Sequence, residues 1–262
     1  MLALITILLL AFALRLHNIG FGLPSIYDPD EPMFMIKALE LLTNQTLNPH
    51  WFGHPGSTTI YLVALIDSAV VGAGLSSGAF SSVSQFAKAA FADPAMLFIP
   101  ARAAMAVLGV LSVWLTYLVA RRLHGTPVAL IAAGLLSINA LHIAWSQVVR
   151  TDIHASVFML ASLLFSIRAC EAGKLKDYLL AGLFSGFAIA TKWPAASIFA
   201  AVLGAVACRM FAREDQASQA GPSLAASTAA LLVGVFVASP FIFIDWHTVT
   251  ANVAGEDVLS LV

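Results

Sequence analysis

Asp28-Pro29-Asp30-Glu31-Pro32 sets three carboxylates within four residues. Like charges this close raise the proton affinity of at least one of them, the property of a general base, or of a divalent-cation site at Asp30 and Glu31. The plainer reading is a solvated loop whose acids cap the helical pattern that follows, Met33, Ile36, Ala38, Leu39 and Leu42. The same polar segment closes on His50-Trp51-Phe52-Gly53-His54-Pro55, where His54 is placed either to donate to an anion or to sit as an interfacial histidine beside an aromatic anchor. Arg102, Arg150 and Lys192 each stand at the edge of an apolar run, with Asp152 and His154 just after Arg150. Three cations brought to one depth would bind phosphate. The bland alternatives are an ion pair of Asp152 with Arg150 or Lys192, and snorkelling for Arg102. Asn139, His142, Ser146 and Arg150 recur at spacings of three and four, which predicts a polar stripe at the outer end of one helix.

The elements that must carry these residues are membrane spans. Of 262 residues, 60% are hydrophobic and 10% charged, and the mean hydropathy is +0.90. A soluble domain carries about 25% charge, so the chain is an all-α polytopic membrane protein. A net charge of −1 excludes nucleic acid as a partner, since phosphate backbones call for clustered Lys and Arg. Apolar runs fall at roughly 1–16, 57–75, 97–120, 126–146, 153–170, 177–191, 193–210 and 224–244, against the about 20 residues needed to cross a bilayer. Thr191-Lys192-Trp193-Pro194 divides the longest apolar stretch into two short spans, because Pro cannot continue a helix and Lys is costly at mid-bilayer.

Arg121, Arg122, Arg168, Lys174, Lys176, Arg209 and Arg213 fall at alternate turns and mark the cytoplasmic side. The opposite turns hold Arg102, Arg150, Asp152, His154, Lys192 and Asp245. For the acidic segment to share that face, the run at 57–75 must lie along the outer interface. Its Asp67, Gly72 and Gly74, and the amphipathic Phe80, Val83, Phe86, Ala90 and Phe91 after it, favour that placement. The expected organisation is therefore one module over 1–262: a first span at 1–16, an external loop with juxtamembrane helices at 17–96, six further spans at 97–244, and the start of another external loop at 245–262. Asp93-Pro94 is expected to open the second span, and Gly182 and Gly186 to let helices pack closely.

Carboxylates in a surface loop opposite cations at the hydrocarbon edge fit a substrate with an anionic head and a lipid tail. Sugar transfer from a polyprenyl phosphate meets that description: the acceptor hydroxyl needs a base, and the leaving phosphate, with a second pKa of about 6, needs no acid. The alternative is a proton-coupled transporter or lipid flippase with Asp152 and Lys192 as its relay, which would place charges near mid-bilayer and show paired repeats.

These motifs together resemble the membrane glycosyltransferases of the protein O-mannosyltransferase and aminoarabinose transferase type, which have the GT-C fold. Asp30-Glu31 is similar to that family's Asp-Glu motif and His54-Pro55 to its His/Lys-Pro-Pro motif. Arg102 in Pro100-Ala101-Arg102-Ala103, Arg150-Thr151-Asp152, Thr191-Lys192-Trp193-Pro194 and Ser239-Pro240-Phe241 with Asp245 resemble further segments of it. Gly56 stands where the family has a second Pro, and Trp193 where it has Gly. The resemblance implies Asp30 as base, Glu31 in its support, and His54, Arg102, Arg150 and Lys192 on the donor phosphate, with Asp28, Asp152 and His154 assisting. It implies transfer on the extracytoplasmic face of the cell membrane (plasma or inner) to a protein, lipid or glycan acceptor. Because relatives carry further spans, the halt at Val262 reads as an N-terminal fragment.

Overall fold

The computed structural model describes residues 1–212 and 217–254. Arg213 among the expected cytoplasmic cations, and 255–262 of the expected last loop, lie outside the described residues. The described chain is helical: α1 Leu2–Leu16, α2 Glu31–Thr43, α3 Ser57–Ser76, α4 Val83–Ala92, α5 Ala95–His124, α6 Thr126–Ser137, α7 Ala140–Trp145, α8 Thr151–Ala172 and α9 Leu175–Thr191. A 3₁₀ turn, Trp193–Ile198, leads into α10 Phe199–Ala212, α11 Ala217–Ala238, α12 Phe241–Ile244 and α13 Trp246–Ala254. Among the described residues, five helices are long and apolar enough to cross a membrane: Ser57–Ser76, Ala95–His124, Thr151–Ala172, Trp193–Phe211 and Gln219–Ala238, with Leu2–Leu16 and Thr126–Ser137 shorter. The protein is an all-α, multi-pass membrane protein.

The core is a set of helix pairs whose contacts follow residue size. α9 packs against α11 through glycines: a methyl added at Gly182 or Gly186 would meet the carbonyl oxygen of Ser227 or Leu231, so the two backbones approach as small residues allow. Ser162 of α8 donates to the Ala181 carbonyl of α9 at 2.9 Å, closing the other side of α9. α5 opens at the expected Asp93-Pro94 but one residue later, with Pro94 as its N-cap and the Asp93 carboxylate accepting from the Ala95 amide at 3.1 Å.

Two expectations need correction. The run at 126–146 is not one helix but breaks after Ser137. Asn139 accepts the His142 amide at 2.9 Å and so starts α7 anew, while Arg15 of α1 donates to the carbonyls of Leu136 and Ser137 at the end of α6. The stripe Asn139–His142–Ser146–Arg150 therefore does not lie on one helix: His142 and Ser146 belong to the buried knot around Arg15, and Arg150 is the N-cap of α8.

α3 matters most for the site. Its buried face (Ile60, Val63, Ala64) lies in one cluster with Phe34, Met35, Ala38 and Leu41 of α2, with Phe86 of α4, and with α5 residues from Met96 to Leu108. Its first turn meets the far ends of α8, α9 and α11, where Ser57 bonds Ser239 at 2.6 Å, Thr58 bonds Thr191 at 2.7 Å and Thr59 bonds His154 at 3.1 Å. α4 begins under a Ser82 cap and buries Phe86 edge-on against Phe80, leaving Phe91 exposed.

Candidate functional site at one end of the helix bundle

The acidic segment divides between two cations. Glu31, the first residue of α2, is fully buried: its Oε1 accepts from Arg102 Nε at 2.7 Å and from the Val149 amide at 3.0 Å, and its Oε2 from Arg102 Nη2 at 2.6 Å. Arg102 Nη1 donates to the carbonyls of Ile19 and Phe21 at 2.9 and 2.8 Å, and its guanidinium lies 4.8 Å from the Phe21 ring. With 1% of Arg102 exposed, it reaches no ligand from the surface. The expected phosphate-binding Arg102 is thus a brace that joins the chain after α1, the start of α2, α5 and the residue before Arg150. Glu31 meets this buried guanidinium with both carboxylate oxygens, which offsets the cost of desolvating the charge.

Arg150 faces outward, with 19% of its side chain exposed. Its Nη1 lies 3.2 Å from Asp28, its Nη2 contacts Asp30, its Nε lies 3.7 Å from Asp152, and its plane sits over Trp145 at 4.4 Å. Asp28 does what the plainer reading of the loop asked, as its other oxygen accepts from the amides of Asp30 and Glu31 at 3.0 and 3.1 Å. Asp152 in turn receives Lys192 at 2.5 Å. Both alternatives for Asp152 are therefore realised together, in one ion-pair chain from Asp28 to Lys192.

Lys192 is placed by the loop ahead of α3. The Trp193 amide donates to the His54 carbonyl at 2.7 Å, the Gly56 amide to the Thr191 carbonyl at 3.2 Å, and Trp193 Nε1 to the Phe52 carbonyl at 3.2 Å. Trp193, in place of glycine, thus ties the turn to the loop. Gly56 has φ +73°, and a methyl there would strike the rings of Trp51 and Phe34, so neither a second Pro, fixed near φ −65°, nor any larger residue fits. The His54 ring lies 5.4 Å from Trp51 and 6.1 Å from Phe34. Burial first, and then the Lys192 charge, hold it below the ordinary imidazole value, so it enters the site as a neutral ring with its Nδ1 buried.

His154 is buried beneath this rim, tied to Thr59 and 5.0 Å from Phe158. It supports α3 and does not join the charges. Asp245 also stands apart. It holds Asn48 at 2.8 Å and His50 at 3.4 Å, and the Asn48 amide, followed by Thr248, keeps it below the usual carboxylate range. Among the described residues no three His, Cys, Asp or Glu side chains are grouped as metal ligands. Asp30 and Glu31 turn to different arginines, Asp30 to Arg150 and Glu31 to Arg102. Trp145 and the Val149 amide were missed by sequence reasoning. The aromatic three residues before the Val148-Val149-Arg150 edge was the one available signal.

The charged turns at the opposite ends of the same helices hold Arg122–Glu171 at 2.7 Å and Arg168–Asp177 at 3.0 Å. The 22 residues of α8, at 1.5 Å per residue, put about 33 Å between the two ends. No curated protein matches the chain. A sequence profile described as dolichyl-phosphate-mannose-protein mannosyltransferase matches residues 96–243, more than half of the chain. The match takes in Arg102, Arg150, Asp152 and Lys192 and begins after the acidic segment. The chain belongs to the dolichyl-phosphate-mannose-protein mannosyltransferase family, a family of membrane glycosyltransferases.

Proposed function

We propose that the protein transfers a sugar from a polyprenyl-phosphate donor to an acceptor hydroxyl on the extracytoplasmic face of the membrane. The family description names mannose on dolichyl phosphate, and a hexose on such a lipid is the donor taken here. The observation that carries the reading is the contact of Asp30 with Arg150, one carboxylate away from Lys192, at a partly exposed rim. Arg150 and Lys192 grip the donor phosphate, with His54 a neutral donor beside them, and the Glu31–Arg102 brace fixes the neighbours Asp30 and Arg150 in position. Asp30 takes the acceptor proton as the acceptor oxygen bonds the anomeric carbon. The bond from that carbon to the phosphate oxygen breaks, and its electron pair leaves with the polyprenyl phosphate. No acid is needed there, because the second phosphate pKa is about 6. Asp30 then gives its proton to water.

The orientation follows from Arg121, Arg122, Arg168, Lys174 and Arg209 at the other helix ends. Seven spans, with α3 lying along the outer boundary, keep the acidic segment and the cations on one face. The packing of α3 on the first half of α5 supports that arrangement. A transporter relay through Asp152 and Lys192 is disfavoured because both stand at helix termini, where a mid-bilayer proton path does not run. Transfer of radiolabelled sugar in membranes containing the full-length protein tests the reading. Asp30→Asn should lose transfer about 100-fold or more while still binding donor lipid, and unchanged turnover would reject Asp30 as the base.

A further inference from the structure

Arg150 and Lys192 are surrounded by Asp28, Asp30 and Asp152, so three carboxylates oppose two cations and leave a local charge of −1. His54, held neutral, does not offset it. A lipid phosphate brought into that group meets net repulsion unless a carboxylate gives way.

The three carboxylates are held unequally. Asp28 is fixed by two backbone amides besides Arg150. Asp152 has Lys192 at 2.5 Å and sits in the first turn of α8, where the helix dipole favours a negative charge. The Asp30 carboxylate makes its one ion pair, among the described residues, with Arg150; it acts on the His54 ring through charge alone, and no backbone amide or lysine holds it. It is the one that an incoming anion can displace without breaking a second tie.

Resting on the donor-site reading above, we propose that the donor phosphate takes Asp30's place on Arg150, and that this exchange both admits the anion and releases the carboxylate to receive the acceptor proton. A carboxylate paired with a guanidinium is a poor base; the same carboxylate beside a phosphate, with its cation withdrawn, is a better one. Binding is then ordered. An acceptor arriving before the donor finds Asp30 engaged, which withholds the base until the sugar is in place.

The test measures the affinity of polyprenyl monophosphate for the full chain in nanodiscs. Asp30→Asn and Asp30→Ala should bind it about three- to tenfold more tightly than the unaltered protein, since a competing anion has been removed. Arg150→Gln should bind it about tenfold more weakly or worse. In the unaltered protein, infrared difference spectra on adding the lipid should show a carboxylate band that shifts, and that band should be missing from Asp30→Asn. Equal or weaker binding by both Asp30 variants, or no shifting band, with Arg150→Gln still impaired, overturns the exchange and leaves the donor site standing. Wild-type affinity in both Arg150→Gln and Lys192→Gln overturns the donor site itself.

Discussion

Glu31 and Asp30 are neighbours in sequence, yet they end in two unlike regions, and the contrast separates scaffold from chemistry. In the interior, Arg102 donates to both oxygens of Glu31 and to the carbonyls of Ile19 and Phe21. Arg15 is satisfied in the same way by Ala11, Leu136, Ser137, His142 and Ser146. Both are buried away from any incoming ligand, and a guanidinium bonded on several sides holds segments together. At the rim, Arg150 is shared by three carboxylates and remains partly open to solvent. An arrangement with more anions than cations, only some of them anchored by backbone, is one that a ligand can rearrange.

The contrast is tested most severely by Asp30→Asn, which should cost transfer about 10²- to 10⁴-fold with its thermal unfolding unchanged. Loss of folding in that variant would erase the distinction. Glu31→Gln should do the reverse. Leaving Arg102 buried without a counter-charge is expected to cost about 3–5 kcal/mol of stability, read as early thermal unfolding in detergent. Lost transfer in a fully stable Glu31→Gln protein would move Glu31 from the brace to the chemistry. Gly186→Ala, away from both regions, should cost about 1–3 kcal/mol by prising α11 from α9, with donor affinity unaltered once folded. Smallest of all, Arg122→Ala removes an exposed pair with Glu171 and should change stability by less than about 1 kcal/mol and transfer not at all.

The sequence made some of this legible. The turn at Lys192, the start of α5 behind Asp93-Pro94 and the glycine contacts of α9 all follow from local rules, because Pro stops helices and a missing side chain admits a neighbour. The break after Ser137 was hidden inside an apolar run. It is set by a cap at Asn139 and by Arg15, more than a hundred residues away in sequence, and a hydropathy pattern carries no record of such a partner. The convergence of Asp30, Arg150 and Lys192 could be anticipated from charges at one set of helix edges. Which arginine each acid would take could not, since that choice is made by depth: Glu31 enters the helix and is buried with it, while Asp30 stays one residue outside.

The central claim is that a lipid phosphate rests against Arg150. Dipolar solid-state NMR between the phosphorus of polyprenyl phosphate and isotope-labelled arginine nitrogens, with the protein in bilayers, reads that contact directly. The expected result is a phosphorus–nitrogen coupling that vanishes in Arg150→Gln and persists in Arg122→Ala. A phosphorus coupled to no arginine, or a coupling untouched by Arg150→Gln, would contradict the account.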